Sequence, residues 1–306
     1  MNDKLLSVVI PAYNEEEIIP KTGETISRIL SENQIEYELI FVDDGSKDGT
    51  WDKICDLADG NDKIRGVQFS RNFGKEAAMF AGLNEAEGDC VAVIDCDLQH
   101  PPEKLIDMYR LWEQGYEVIE GIKNSRGKES VAHGLFAKLF YKMISKSTGV
   151  DMSRASDFKL LDRKAVLVLQ NLPEKAAFFR ALSSWVGFRT AQISYDVRER
   201  EVGTSKWSTF SLVKYAMTNV TSFTTLPMQL VTFLGIIMFI VSLVLTAIAL
   251  VQYFTGQSVE GFTTVIILQC FTGSVIMLAL GVIGYYISKI YEEVKGRPRY
   301  IIARRR

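Results

Sequence analysis

"VAVIDCDLQHPPE", residues 91–103, decides the fold. Four apolar residues run straight into Asp95 and Asp97, and Pro101-Pro102 closes the stretch. An apolar run without alternation is how a strand reads when both faces are buried, as in a parallel sheet covered by helices. Alternate residues of an extended strand share a face, so Asp95 and Asp97 are expected to point the same way, roughly 6.5–7 Å apart. Carboxylates so placed repel unless a cation stands between or beside them. On its own the triplet also reads as two solvated turn aspartates.

Working outward, similar β-rich runs recur at residues 5–13, 37–46, 64–70, 90–97 and 116–122. Helical stretches lie between them at Glu15–Ser31, Thr50–Ala58, Lys75–Asn84 and Pro102–Gln114. Strands alternating with helices predict an α/β fold with a doubly wound, mostly parallel sheet. Ligands bind such sheets beyond the carboxyl ends of the strands. The residues that follow the runs there are Tyr13-Asn14-Glu15, Asp43-Asp44-Gly45-Ser46, Arg71 to Lys75, and Asp95-Cys96-Asp97.

The 306 residues carry 35 Lys and Arg against 37 Asp and Glu, a net charge of −2 that makes no electrostatic case for nucleic acid. That average hides an asymmetry, because Glu260 is the sole charged residue between Lys214 and Lys289. Met228–Val251 and the segment near Val265–Ser288 each exceed the ~20 apolar residues that cross a bilayer. Their connecting loop lacks Lys and Arg, whereas residues 289–306 hold seven of them. The positive-inside rule therefore predicts a transmembrane hairpin with the large domain and both termini in the cytoplasm. Residues 5–10 are too short an apolar run for a secretory segment. Four cysteines without a CxxC pair argue against zinc or a disulfide framework.

Lys138, Lys142 and Lys146 recur every four residues beside Phe136, Leu139, Phe140 and Met143. The pattern is a basic amphipathic helix, suited to a lipid interface or to packing on the domain. The expected organisation is a core over 1–129, an acceptor-side and interface region over 130–226, a membrane anchor over 227–289 and a basic tail over 290–306.

Taken together, "VVIPAYNEEE" (8–17), "VDDGSKDGT" (42–50), "SRNFGKEAAMFAGL" (70–83) and "DCDLQHPPE" (95–103) resemble glycosyltransferase family 2. The likeness is strongest to the membrane-anchored polyprenyl-phosphate glycosyltransferases. It extends through "SDFKLLDR" (156–163), "REREVGTSKWS" (198–208) and "EEVKGRPRY" (292–300). It implies a GT-A-like core that transfers one hexose, glucose before N-acetylglucosamine, from a UDP-sugar to polyprenyl phosphate with inversion.

The resemblance also assigns roles. Pro11, Tyr13 and Glu15 would wall the base and ribose, with Asp43 or Asp44 accepting from the uracil N–H. As residues alone, Asp43 to Ser46 read as an Asp/Gly turn. Arg71, Gly74 and Lys75 would meet base or pyrophosphate. Asp97 is expected to hold Mg²⁺ or Mn²⁺, with Asp95 toward ribose or metal and Gln99 as a further ligand, since such ions take carboxylates plus substrate phosphates. Arg126, Arg198, Arg200 and Lys206 are candidates for the acceptor phosphate. Asp157 would orient the acceptor or serve as base. The implied partners are donor, lipid phosphate, bilayer, a homo-oligomeric copy, and a downstream flippase and envelope glycosyltransferase.

Two other readings compete. A processive polysaccharide synthase needs a Gln-x-x-Arg-Trp motif and more helices than the hairpin supplies. A non-catalytic sensor or scaffold has no use for both Asp95 and Asp97.

Overall fold

The computed structural model describes residues 4–124, 156–172, 178–197, 226–255 and 261–306. The chain forms two compact units: Met1–Val213 with Pro298–Arg306, and Lys214–Arg297.

In the first unit β1 (Leu5–Ala12), β2 (Glu36–Asp43), β3 (Ile64–Phe69) and β4 (Cys90–Val93) alternate with α1 (Ile19–Glu32), α2 (Thr50–Gly60) and α3 (Lys75–Glu85). Then follow α4 (Lys104–Glu113), β5 (Val118–Lys123), β6 (Lys159–Asp162), α5 (Arg163–Gln170), α6 (Phe179–Trp185) and β7 (Thr190–Tyr195). With β8 (Ile302–Arg305) the strands form one sheet in the order β7-β5-β6-β4-β1-β2-β3-β8. Four strands are parallel through β4-β1-β2-β3, as the apolar runs require. Burial explains those runs: every residue of β1 from Leu6 to Ala12 and all of β4 are buried. Helix α1 turns Ile19, Thr22, Ile26, Ile29 and Leu30 inward at helical spacing, and Pro20 sits in its first turn, where no amide is needed.

Three elements differ from the sequence reading. Strand β4 stops at Val93 rather than reaching Asp97, and residues 96–97 form a turn. The two aspartates therefore do not alternate along a strand, and Pro101-Pro102 leads into α4 instead of ending β4. Strand β6 runs antiparallel between β4 and β5, so the sheet is mixed. Finally, the basic tail is not a free appendage: β8 pairs antiparallel with the edge strand β3.

The second unit holds α7 (Leu226–Phe254) and α8 (Phe262–Val294), the latter running past the expected end at 289. Met228–Ile248 and Ile267–Val294 are long and apolar enough to cross a membrane. Leu230, Phe233, Phe239, Met277 and Leu278 all stand exposed on them, an apolar surface that water does not tolerate over such an area. The amphipathic stretch 130–149 lies outside the described residues.

Candidate active site at the strand ends

Sheet geometry brings together residues that are far apart in sequence. Strand β6 pairs antiparallel with β4, and the ladder ends with Val93 opposite Lys159, so Asp95 and Asp157 each lie two residues beyond the same end of it. Both stand beyond the carboxyl end of β4, where the parallel strands open. Helix α3 points its first residue into the same place. Lys75 Nζ lies 2.6 Å from Asp95 Oδ1 and 3.0 Å from Asp157 Oδ2, joining the two carboxylates.

Arg180, on α6, grips Asp157 from the other side, with Nε 3.1 Å from Oδ1 and Nη2 3.0 Å from Oδ2. Its fork matches the carboxylate with two charge-assisted bonds. Burial alone would raise the Asp157 pKa, yet Arg180 and then Lys75 outweigh it and hold the carboxyl far below the usual range. Asp95 is likewise lowered despite its burial, by Lys75.

Arg180 is itself positioned by a buried network. Lys159 and Glu120 form an ion pair 2.6 Å long, with their side chains 0% and 5% exposed. The Lys159 ammonium also donates to the Arg180 carbonyl and to Ser184 Oγ. Glu76, one residue into α3, accepts from the Phe179 amide at 2.8 Å. Burial and the neighbouring Asp157 push the Glu76 carboxyl up to about 7.

Asp97 takes a different part. It is buried, and its Oδ1 accepts from the Gln99 amide at 3.1 Å across a turn in which Leu98 adopts φ 56°. The turn is pinned to α1 through Thr22 Oγ1, which donates to the Cys96 carbonyl at 2.6 Å. His100 stacks on Phe158 and meets Tyr195 edge-on. Its buried Nδ1 has no hydrogen-bond partner among the described residues and sits 3.9 Å from Asp95 Oδ2. Burial keeps this imidazole below its ordinary pKa, hence neutral at pH 7.

The loops after β1, β2 and β3 are laced together. Asn14, with φ 52°, donates its amide to Ser46 Oγ and accepts from the Lys47 amide, while the Glu15 amide donates to Thr50. Asp43 is fully buried and accepts from the Ser46 amide and from Gln68. Asp44 accepts from the amides of Phe73 and Gly74 at 2.6 and 2.9 Å, so it braces the start of α3 and thereby Lys75. Gly74 has φ +100°, which favours glycine. Gly45 has φ +67°, and a Cβ there would fall 2.4 Å from the Arg71 carbonyl carbon. Both aspartates expected at uracil thus already have protein donors.

Among the expected donor and metal residues, Asp95 and Lys75 are brought into contact and Asp157 joins them. Pro11 is the penultimate residue of β1, Tyr13 and Glu15 follow the strand, and Arg71 lies against the Phe73 ring. Arg126, Arg198, Arg200 and Lys206 lie outside the described residues. Sequence reasoning missed Arg180, Glu76 and Lys123. Nothing in "FFRALSSW" marks Arg180, whereas Lys123 ends β5 and the strand-end rule would have found it one residue further on. Burial and Arg180 lower the Lys123 pKa, and Asp95 and Asp157 lie near enough to act on it.

Among the described residues no three His, Cys, Asp or Glu side chains cluster closely enough to hold a metal unaided. Asp95 and Asp97 supply the kind of oxygen donor that Mg²⁺ and Mn²⁺ take together with water and phosphate, with Asp95 already paired to Lys75.

Residues 7–167, more than half the chain, match the profile of glycosyl transferase family 2. The chain belongs to glycosyltransferase family 2. As a family 2 chain it is 39% identical over 99% of its length to a putative glycosyltransferase, CsbB, of Bacillus subtilis, covering 92% of that protein. It is 36% identical to the SfII prophage-derived bactoprenol glucosyl transferase of Shigella flexneri, covering 97% of each chain. Its fold is like that of glucosyl-3-phosphoglycerate synthase from Mycobacterium tuberculosis, crystallised with Mn²⁺, UDP and glucosyl-3-phosphoglycerate. The TM-score is 0.50 at 23% identity, over 72% of this chain and 78% of that one. The mixed, mostly parallel sheet is therefore GT-A-like, as family 2 membership implies.

Proposed function

We propose that this glycosyltransferase moves one glucose from UDP-glucose to a polyprenyl phosphate, with inversion, at the cytoplasmic face of a membrane. The observation that carries the reading is Lys75, whose ammonium joins the carboxylates of Asp95 and Asp157 just beyond the end of the β4–β6 ladder, at the open end of the parallel strands. The full-length likeness to a bactoprenol glucosyl transferase supports the sugar and the lipid. The mycobacterial synthase of like fold was crystallised with UDP and Mn²⁺, the chemistry proposed here.

In this mechanism an oxygen of the lipid phosphate attacks the anomeric carbon, the bond from that carbon to the diphosphate breaks, and UDP departs from the opposite side. A monoalkyl phosphate with a second pKa near ~6 is largely ionised at neutral pH and needs no strong base. Asp157 suits orientation better than proton abstraction, since a carboxylate held ionised by Arg180 and Lys75 has little proton affinity. A divalent ion held by Asp97, Asp95 and the donor's phosphates would neutralise charge on the leaving diphosphate. Lys123, near enough to Asp95 and Asp157 to be acted on by both, has no ion-pair partner among the described residues and is a candidate cation for the acceptor phosphate, as the sequence makes Arg126, Arg198, Arg200 and Lys206.

The membrane reading rests on α7 and α8. Both ends of that hairpin return to the same folded unit, because residues 298–306 pair with the sheet. An even number of crossings follows, and the cationic tail favours the cytoplasmic side.

The test is incubation of membranes containing the protein with UDP-glucose, UDP-N-acetylglucosamine or UDP-galactose plus undecaprenyl phosphate, with lipid-linked product identified by mass. Transfer of glucose dependent on Mg²⁺ or Mn²⁺ is expected; no transfer from any donor overturns the reading. Asp97→Ala should lower turnover by about a hundredfold or more, the scale of a lost transition-state charge contact, without altering thermal unfolding.

A further inference from the structure

The terminal "RPRY" and the three arginines after it leave an unexplained set of contacts on the donor side of the sheet. β8 pairs with β3 through Val67 opposite Arg305 and Gln68 opposite Arg304. Part of this is edge protection, since an uncovered β3 would present unpaired amides and carbonyls. The residues just before β8 go further. Arg299 donates to the Leu172 carbonyl at 2.9 Å and lies over the Phe80 ring of α3. Tyr300 stacks on Phe69 with ring centroids 5.0 Å apart and planes 11° from parallel, and its hydroxyl accepts from Asn84 Nδ2 at 2.7 Å.

Phe69 ends β3, and the donor-side loop begins at the next residue. Its ring meets Phe73 edge-on at 5.7 Å. Arg71 covers the Phe73 ring at 4.3 Å, and the Phe73 amide is the one held by Asp44. A continuous series of ring contacts thus runs Tyr300–Phe69–Phe73–Arg71, ending on the loop that launches α3 and Lys75. The Ser70 amide is also taken up by the tail, donating to the Ile301 carbonyl at 3.0 Å.

We propose that Tyr300 is a positioning residue for the donor site: its ring holds Phe69 and Phe73 in register, so that residues 71–75 stand in the conformation that receives the nucleotide diphosphate. This deepens the donor-binding reading of residues 71–75 and rests on it. The tail is the covalent continuation of α8, so the segment that completes the donor loop is also the one that leaves the apolar helix.

The experiment compares the full chain in detergent micelles with Tyr300→Ala, Tyr300→Phe and Arg305→Ala. Hydrogen exchange over residues 70–76 and UDP affinity by calorimetry are read on each. Tyr300→Ala should speed exchange at the Phe73 and Gly74 amides and weaken UDP binding by roughly three- to tenfold, the range one aromatic pair supplies. Tyr300→Phe should behave as the parent, because the stack survives without the hydroxyl. Arg305→Ala, which removes the ion pair to Glu85 but not the stack, should leave both readouts unchanged. Unchanged exchange in Tyr300→Ala overturns the proposal, as does an equal effect from Arg305→Ala, which would reduce the tail to edge cover. If the parent chain exchanges as expected but binds no UDP, the donor reading fails and the positioning of the loop stands on exchange alone.

Discussion

Asp157 is held by two cations from different helices, and that arrangement sets its pH behaviour. Its pKa in the folded chain lies below the ordinary carboxylate value, so its ionised form is favoured throughout the neutral range and is lost only as pH falls well into acid. Arg180→Met removes the larger of the two stabilising charges. Loss of a charge-assisted pair of this kind costs about 1.5–3 kcal/mol, so kcat/KM should fall roughly ten- to a hundredfold. The acid limb of the pH–rate profile should also move to higher pH, because Asp157 would then take up its proton earlier. A profile parallel to the parent's would separate Arg180 from Asp157.

Asp44 has the opposite sign. Burial outweighs the amide bonds from Phe73 and Gly74 and raises its pKa from 3.8 to about 6. The folded chain therefore binds that proton more tightly than the unfolded one. The resulting penalty is fully present above about pH 6 and disappears as pH falls toward 4. Relative to Asp44→Asn, which cannot titrate, the parent should therefore gain thermal midpoint as pH falls from 7.5 to 4.5, measured by tryptophan fluorescence during heating; a difference that does not change with pH overturns this.

Among the elements, β6 contributes most to the site for its length. Its four residues face β4 on one side and β5 on the other, and its Lys159 crosses to α6. A lysine fully buried against Glu120 is stabilised only as a pair, and removing one partner strands the other. Lys159→Met should cost about 3–5 kcal/mol, and adding Glu120→Leu should recover most of it, as seen by denaturant titration. The parallel half of the sheet was legible in the sequence because "LLSVVIPA", "EYELIFVD" and "CVAV" carry consecutive apolar residues without alternation and lead into polar loops. Strand β6 was not: "KLLD" is short and begins with a lysine whose partner is 39 residues away, so no local pattern exposes it. The same long range hid Arg180, while Asp95, Lys75 and Asp157 were readable as residues without their contact being readable. Asp43 and Asp44 were read as acceptors for uracil or as an Asp/Gly turn; the turn is there in the bond from the Ser46 amide to Asp43, whereas the bonds from Gln68, Phe73 and Gly74 emerge only once those residues are placed beside them.

At the scale of the whole molecule, the two apolar helices interrupt a folded unit rather than follow it. A chain ending at residue 225 loses the helices and β8 together, leaving the β3 edge uncovered. It should aggregate on size-exclusion chromatography. A chain in which residues 226–297 give way to a long Gly/Ser linker keeps residues 298–306 and should elute as a folded species. Equal behaviour of the two would show that β8 does not protect the edge.

The register of β4, β6 and β5 also bears on how the site keeps its alignment. Strand β5 ends at Lys123 and β6 begins at Lys159, and the two are neighbours whose pairing sets Glu120 against Lys159. That pairing leads Asp157 up to Lys75 and Asp95 two residues before β6 begins. A register fixed by the strands themselves does not depend on the length of chain that joins them, so the contact of Lys75 with Asp95 and Asp157 is anchored by the sheet alone.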